Sequence, residues 1–185
     1  MREPLVPVVD HLPDATLAFE LPTPFPVGPV NCYVLLEEPV TVIDPGMLFG
    51  DTIATVGTEL AAVGLSVDDV DAVVVTHAHP DHYGTAGWLA EKADAPIYAG
   101  RAELPKLLET RDRQLLYELI RSFGIPEEML GVFPVFYGAV KEWLHEIDES
   151  RVVPVDDGDI LWLGGRQLEA MVTPGHAAGH LSLWE

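Results

Sequence analysis

Thr76-His77-Ala78-His79-Pro80-Asp81-His82-Tyr83-Gly84 sets three imidazoles and a carboxylate within six positions. The apolar run before it, Ala72 to Val75, reads as a buried strand. The segment after it, Thr85 to Glu91, has helical spacing of Ala86, Leu89 and Ala90. A strand-to-helix junction carrying these groups is what a borderline-soft divalent metal selects, since zinc takes histidine nitrogen and aspartate oxygen. His77 and His79 are two apart, so an extended backbone puts both side chains on one side, where they can share an ion. Asp81 and His82 then leave the extended geometry and can serve a second ion. The bland alternative is a polar loop whose histidines only cap the next helix, but chance rarely sets H-x-H-x-D-H after such a strand.

Two further stretches extend the pattern: Ile43-Asp44-Pro45-Gly46 upstream and Thr173-Pro174-Gly175-His176-Ala177-Ala178-Gly179-His180 downstream. Together with the first motif they resemble the signature of the metallo-β-lactamase superfamily of hydrolases, in the family's order and across most of the chain. The resemblance implies an α/β (α+β) fold, an αββα sandwich, formed by residues 1–185 as a single domain. His77, His79 and His176 would then make a three-imidazole site with a fourth position free, the arrangement of hydrolytic zinc. A water bound at such a site has its pKa lowered to about 7, so no serine or cysteine nucleophile is required. Asp81 and His82 resemble the ligands of a second metal, and Asp81 is also the candidate catalytic residue, orienting the nucleophile or passing its proton on. Asp44 is a candidate to orient a ligand histidine through its other ring nitrogen; a turn-forming residue before proline is the competing reading. His180 resembles a position that supports the loop. The departure from the family is at the end: dinuclear relatives add a bridging aspartate and a last histidine, and nothing after His180 supplies them. The second half of the sandwich is therefore expected to be incomplete, and a second ion weakly held.

Composition narrows the substrate. A formal charge of −20, with ten Lys and Arg scattered rather than clustered, repels phosphate backbones and anionic lipid. Neither nucleic acid nor membrane is expected as a partner; a small-molecule substrate is. Cys32 is the one cysteine, so no internal disulfide forms, and in Val30-Asn31-Cys32-Tyr33-Val34 it reads as a buried inert thiol. With no apolar signal core behind Met1 and no run of membrane-spanning length, the expected location is cytoplasmic.

Along the chain, strands are expected over 16–21, 30–36, 40–44, 71–76, 96–99, 152–155, 160–163, 167–172 and from Leu181 to Trp184. A helix runs from Asp51 or Thr52 to a stop at Gly64, and Gly164-Gly165 marks a hairpin. Residues 103–147 break the rhythm. Leu104, Leu107, Leu108, Leu115, Leu116, Leu119 and Ile120 recur at helical intervals from Glu103 to Phe123, and Pro134 opens another helix through Trp143. This helical insertion carries Tyr117, Phe123, Phe133, Phe136, Tyr137 and Trp143, which form either a satellite core or a cap over the metal site.

The leading function is a metal-dependent hydrolase, glyoxalase-II-like or lactonase-like, acting on a thioester, ester or lactone. Its cofactor is one or two zinc ions, with iron or manganese the other ions such a set accepts. The alternatives are a mononuclear iron persulfide dioxygenase, and an inactive or truncated fragment acting as a binding module. Leu181 to Trp184 would leave apolar surface bare, to be covered by a missing C-terminal segment or by another chain in an oligomer.

Overall fold

The computed structural model describes residues 12–108, 121, 122, 124, 126, 138 and 140–185. Its larger sheet runs, in spatial order, β1 (Thr16–Leu21), β2 (Val30–Leu35), β3 (Thr41–Ile43), β4 (Ala72–Val75), β5 (Ile97–Gly100) and β6 (Val152–Val155). Pairing is antiparallel from β1 to β3 and parallel from β3 to β6. β7 (Ile160–Leu163), β8 (Arg166–Val172) and β9 (Leu181–Trp184) make a second, antiparallel sheet. Helices described from end to end include α1 (Thr52–Ala62), α2 (Pro80–Tyr83), α3 (Ala86–Ala93) and α4 (Leu104–Leu107).

The two-residue period of β4 explains the layering. Val73 and Val75 join a core with Val56 and Leu60 of α1 and with Leu89 and Ala90 of α3. Ala72 and Val74 point the other way, into a core with Leu35, Leu163 and Leu168. A strand covered on both faces needs apolar residues throughout, which is why Ala72 to Val75 shows no alternation. A slip of one residue would exchange the two sets. Each Val or Leu so buried contributes roughly 1.5–3 kcal/mol, so the register is strongly specified. The crossovers through α1 and α3 put both helices on one face and leave the other to the second sheet. The result is the helix–sheet–sheet packing of the expected sandwich.

The β7–β8 hairpin turns on Gly164 and Gly165, with φ of 57° and 71°, the left-handed pair that a tight two-residue turn requires. A Cβ on Gly164 would collide with Leu35, so this turn also docks the second sheet on the first. Within the second sheet Leu161, Leu163, Leu168 and Leu183 face inward. Ile160, Trp162 and Trp184 alternate outward and are 61%, 58% and 63% exposed.

The expected strands, and the helices expected from Asp51 or Thr52 and from Thr85 (α1 and α3), appear within a residue or two of their sequence bounds. Glu103 is different. It does not open a long leucine-spaced helix but closes a 3-10 turn, Arg101–Glu103, with α4 following, and it is buried. Most of the stretch expected as a helical insertion, with Tyr117, Phe123, Phe133, Phe136 and Tyr137, lies outside the described residues. At its exit Val140 and Ile147 are buried, and Trp143 meets the edges of Phe49 and Phe25 with ring centroids 5.7 and 6.3 Å away. Among the described residues no helix is long and apolar enough to cross a membrane.

Candidate metal centre

The centre gathers at the C-terminal ends of the parallel strands. Beyond β3, Asp44 takes a left-handed backbone (φ 54°) and lies 5% exposed. Its Oδ1 accepts the Thr76 backbone N–H at 2.8 Å. Its Oδ2 accepts the Thr76 hydroxyl at 2.7 Å and the His82 Nδ1–H at 2.8 Å. This fixes two tautomers. The Thr76 hydroxyl has one proton and gives it to Asp44, so at 3.0 Å its oxygen must accept from His77 Nδ1–H. His77 therefore keeps a bare Nε2, and so does His82 whenever its ring is neutral.

His77 Nε2 is the hub. It stands 2.9 Å from His79 Nδ1 and 3.0 Å from His176 Nε2, and the three ligand atoms lie within 4.8 Å of one another. A tetrahedral zinc with bonds of about 2.0–2.1 Å spaces its nitrogen ligands by roughly 3.3 Å, so the two contacts at His77 must open slightly for the three imidazoles to share one ion. His77 and His79 follow β4 directly. His79 is extended (φ −93°, ψ 140°), and Pro80 opens α2, whose first turn carries Asp81 and His82. Asp81 Oδ2 is 3.9 Å from His82 Nε2, beside the three-imidazole set rather than in it.

The protonation states suit metal binding. Burial, reinforced by the like charges of His82, His79, His176 and His180, lowers the His77 pKa from 6.5 to about 2. Burial, then Lys106 and His176, lower that of His79 to about 4, with Asp81 opposing. Both rings are neutral at physiological pH, as ligands must be. For His82 burial pulls downward, but the Asp44 hydrogen bond and charge, and then the Asp81 charge, prevail and raise its pKa.

The remaining candidates sort by position. His180 Nδ1 lies 3.0 Å from the Thr173 hydroxyl; its ring is tilted over His77 with centroids 5.2 Å apart, and it is not in the three-nitrogen set. His145 Nδ1 is 3.0 Å from the Glu146 carbonyl, away from the centre, and His11 lies outside the described residues. Tyr83 is buried. Cys32 is wholly buried, and burial, then the Asp44 charge, push its thiol pKa well up, which leaves it no nucleophile. A cavity of about 430 Å³ lined by Tyr83, Leu107, Leu108, Lys141, Leu144 and Ile147 includes none of the three converging histidines. Two supporting residues were not legible in the sequence. Thr76 is an ordinary strand-end threonine by pattern, and Glu103 reads only as the start of the leucine-spaced stretch after β5; the spatial neighbours of each are what single it out.

The model of the Metallo-beta-lactamase superfamily matches residues 25–185. The metallo-beta-lactamase fold-containing protein ST1585 of Sulfurisphaera tokodaii is 30% identical over 165 residues, which cover 85% of this chain and 56% of that protein. The probable metallo-hydrolase YqjP of Bacillus subtilis is 38% identical over 178 residues, 91% of this chain and 52% of that protein. The solved metallo-beta-lactamase family protein TTHA1429 from Thermus thermophilus superposes with a TM-score of 0.78 at 27% identity, over 91% of this chain and 55% of that one. The subclass B3 metallo-beta-lactamase BJP-1 of Bradyrhizobium japonicum shares the fold, with a TM-score of 0.58 at 23% identity, over 85% of this chain and 51% of that one. The chain thus spans about half the length of the curated relatives just described.

Proposed function

This chain belongs to the metallo-beta-lactamase superfamily, and from that membership we propose a metal-dependent hydrolase that cleaves a thioester, ester or lactone. The observation that carries the reading is the convergence of His77 Nε2, His79 Nδ1 and His176 Nε2, two of them neutral by burial. These three residues would hold the first divalent ion, zinc or, from the same donors, iron or manganese. Asp81 and His82 would contribute to a second one. A bound divalent ion supplies Lewis acidity and a water with a lowered pKa. The chain's own work is orientation and proton handling: Asp44 and Thr76 hold the ring of His77, Asp44 holds that of His82, and Asp81 takes up or returns a proton beside them. The charge of −20 disfavours polyanionic substrates, so a small neutral or weakly charged acyl compound is the substrate, met in the cytoplasm.

The test is a panel of thioesters, esters and lactones run on chain loaded with zinc, manganese or iron, with metal content measured alongside. Asp81→Ala should cut turnover while the first ion stays bound; an unchanged rate would remove Asp81 from the reaction. One three-histidine set among the described residues also suits a mononuclear iron persulfide dioxygenase. Oxygen uptake with a persulfide by the iron form, and no hydrolysis by any form, would decide for that reading.

A further inference from the structure

We propose that Glu103 is a positioning residue that clamps the His176 loop onto the His77–His79 loop and so sets the three-imidazole geometry. This rests on the metal-site reading above. Glu103 is 3% exposed, and each of its carboxylate oxygens accepts a backbone N–H from a different loop. Oε2 takes Ala78 N–H at 2.9 Å, between His77 and His79. Oε1 takes Gly179 N–H at 2.7 Å, between His176 and His180. The two donors lie 25 residues before and 76 residues after Glu103 in the chain, so this one side chain joins segments that local sequence cannot join.

The backbone is shaped for the same contact. A Cβ on Gly100 would collide with the Gly179 carbonyl oxygen, and one on Gly179 would press within 3.0 Å of the Glu103 nitrogen. The 173–180 loop therefore lies hard against the turn that carries Glu103. Its far end is fixed separately, by Leu181 N–H donating to the Thr76 carbonyl at 2.9 Å. Burying a carboxylate is a costly way to fill space, and an apolar side chain would serve packing better. What an apolar side chain lacks is two anionic acceptors aimed at two loops, each making a charge-assisted bond.

The experiment titrates Co2+ into the full 185-residue chain and follows its ligand-field spectrum, with zinc competition for affinity. Glu103→Gln keeps the shape but offers one acceptor for two donors, and should weaken ion binding about 10- to 100-fold. Leu89→Ala, a core truncation in α3, is the control: it should lower stability and leave the affinity of the folded protein unchanged. Equal affinity of Glu103→Gln and the unaltered chain would overturn the clamp, as would an equal loss in Leu89→Ala. Failure of the unaltered chain to bind any ion would instead sink the metal reading. Hydrogen exchange on the unaltered, metal-free chain judges the clamp without any variant, and so covers a variant that does not fold. The Ala78 and Gly179 amides should be strongly protected, and exchange at open-loop rates would refute the proposal.

Discussion

Residues 76–83 leave the middle of a parallel sheet and enter a helix within a few positions, so their path is dictated by what flanks them. Residues 173–180 join two strands of the smaller sheet, with 173–176 exposed, and meet the first loop only through distant contacts. His77 is buried, His79 intermediate and His176 exposed, although their nitrogens share one centre. In the proposed metal centre one loop is the half-site carried by the sheet and the other a closing piece. Ligand identity alone therefore does not make such a centre. Its second half depends on how firmly unrelated segments hold a stretch rich in glycine and alanine in place.

The largest effect should come from the hub. His77→Ala should abolish ion binding and hydrolysis together, because both other ring nitrogens lie against His77 Nε2. His176→Ala should leave weak binding at the remaining pair. Metal content by mass spectrometry after dialysis separates them, and stronger retention in His77→Ala would reverse the ranking of the loops. Next is Asp44→Asn, which spoils the acceptor shared by Thr76 and His82; affinity should fall about 10- to 100-fold, read by chelator competition. Gly100→Ala probes the closing piece alone. Overpacking against Gly179 should cost about 1–3 kcal/mol, seen in urea unfolding, with amide shifts confined to the second loop. Shifts spread equally over 76–83 would mean that the two loops move as one body.

The smallest effect is in acid, on metal-free protein. The pKa values of His77 and His79 are lowered in the fold, to about 2 and about 4, from an unfolded value near 6.5. Above pH 6.5 neither state binds a proton there. Below it the unfolded chain takes up protons that the fold refuses, so stability falls as pH drops from 6.5 towards 4 and on towards 2. His82, with its raised pKa, works in the opposite sense, stabilising acid conditions and losing that contribution as pH rises through its folded value. Urea midpoints at about pH 7.5 and about pH 5 should therefore differ, and His77→Gln should shrink the difference. An unchanged pH dependence in that variant would move the acid sensitivity away from the first loop.

What could be read in the sequence follows the same divide. Ala72 to Val75 announced a strand covered on both faces, and His77, His79, Asp81 and His82 came with it, because strand period and motif are local. His176 was legible only through its own Pro-Gly-His stretch. Glu103 was not legible at all: an acidic residue before Leu104-Pro105 looks like the start of an exposed helix, and its partners Ala78 and Gly179 are named by no periodicity. Thr76 escaped for a similar reason, since its hydroxyl matters only once Asp44 and His77 stand on either side of it.

Asp44 follows the last residue of β3, Thr76 the last of β4, and Glu103 comes three residues after β5. Positions just past a strand's end are released from the ladder, while Val42, Val73 and Ile97 behind them stay in the core. Reactivity and foldability are thus written at different addresses in the same chain. A library that randomises only the residues following these strand ends should therefore contain many folded members whose ion preference or substrate has changed. One that randomises the strands themselves should contain few members that fold at all.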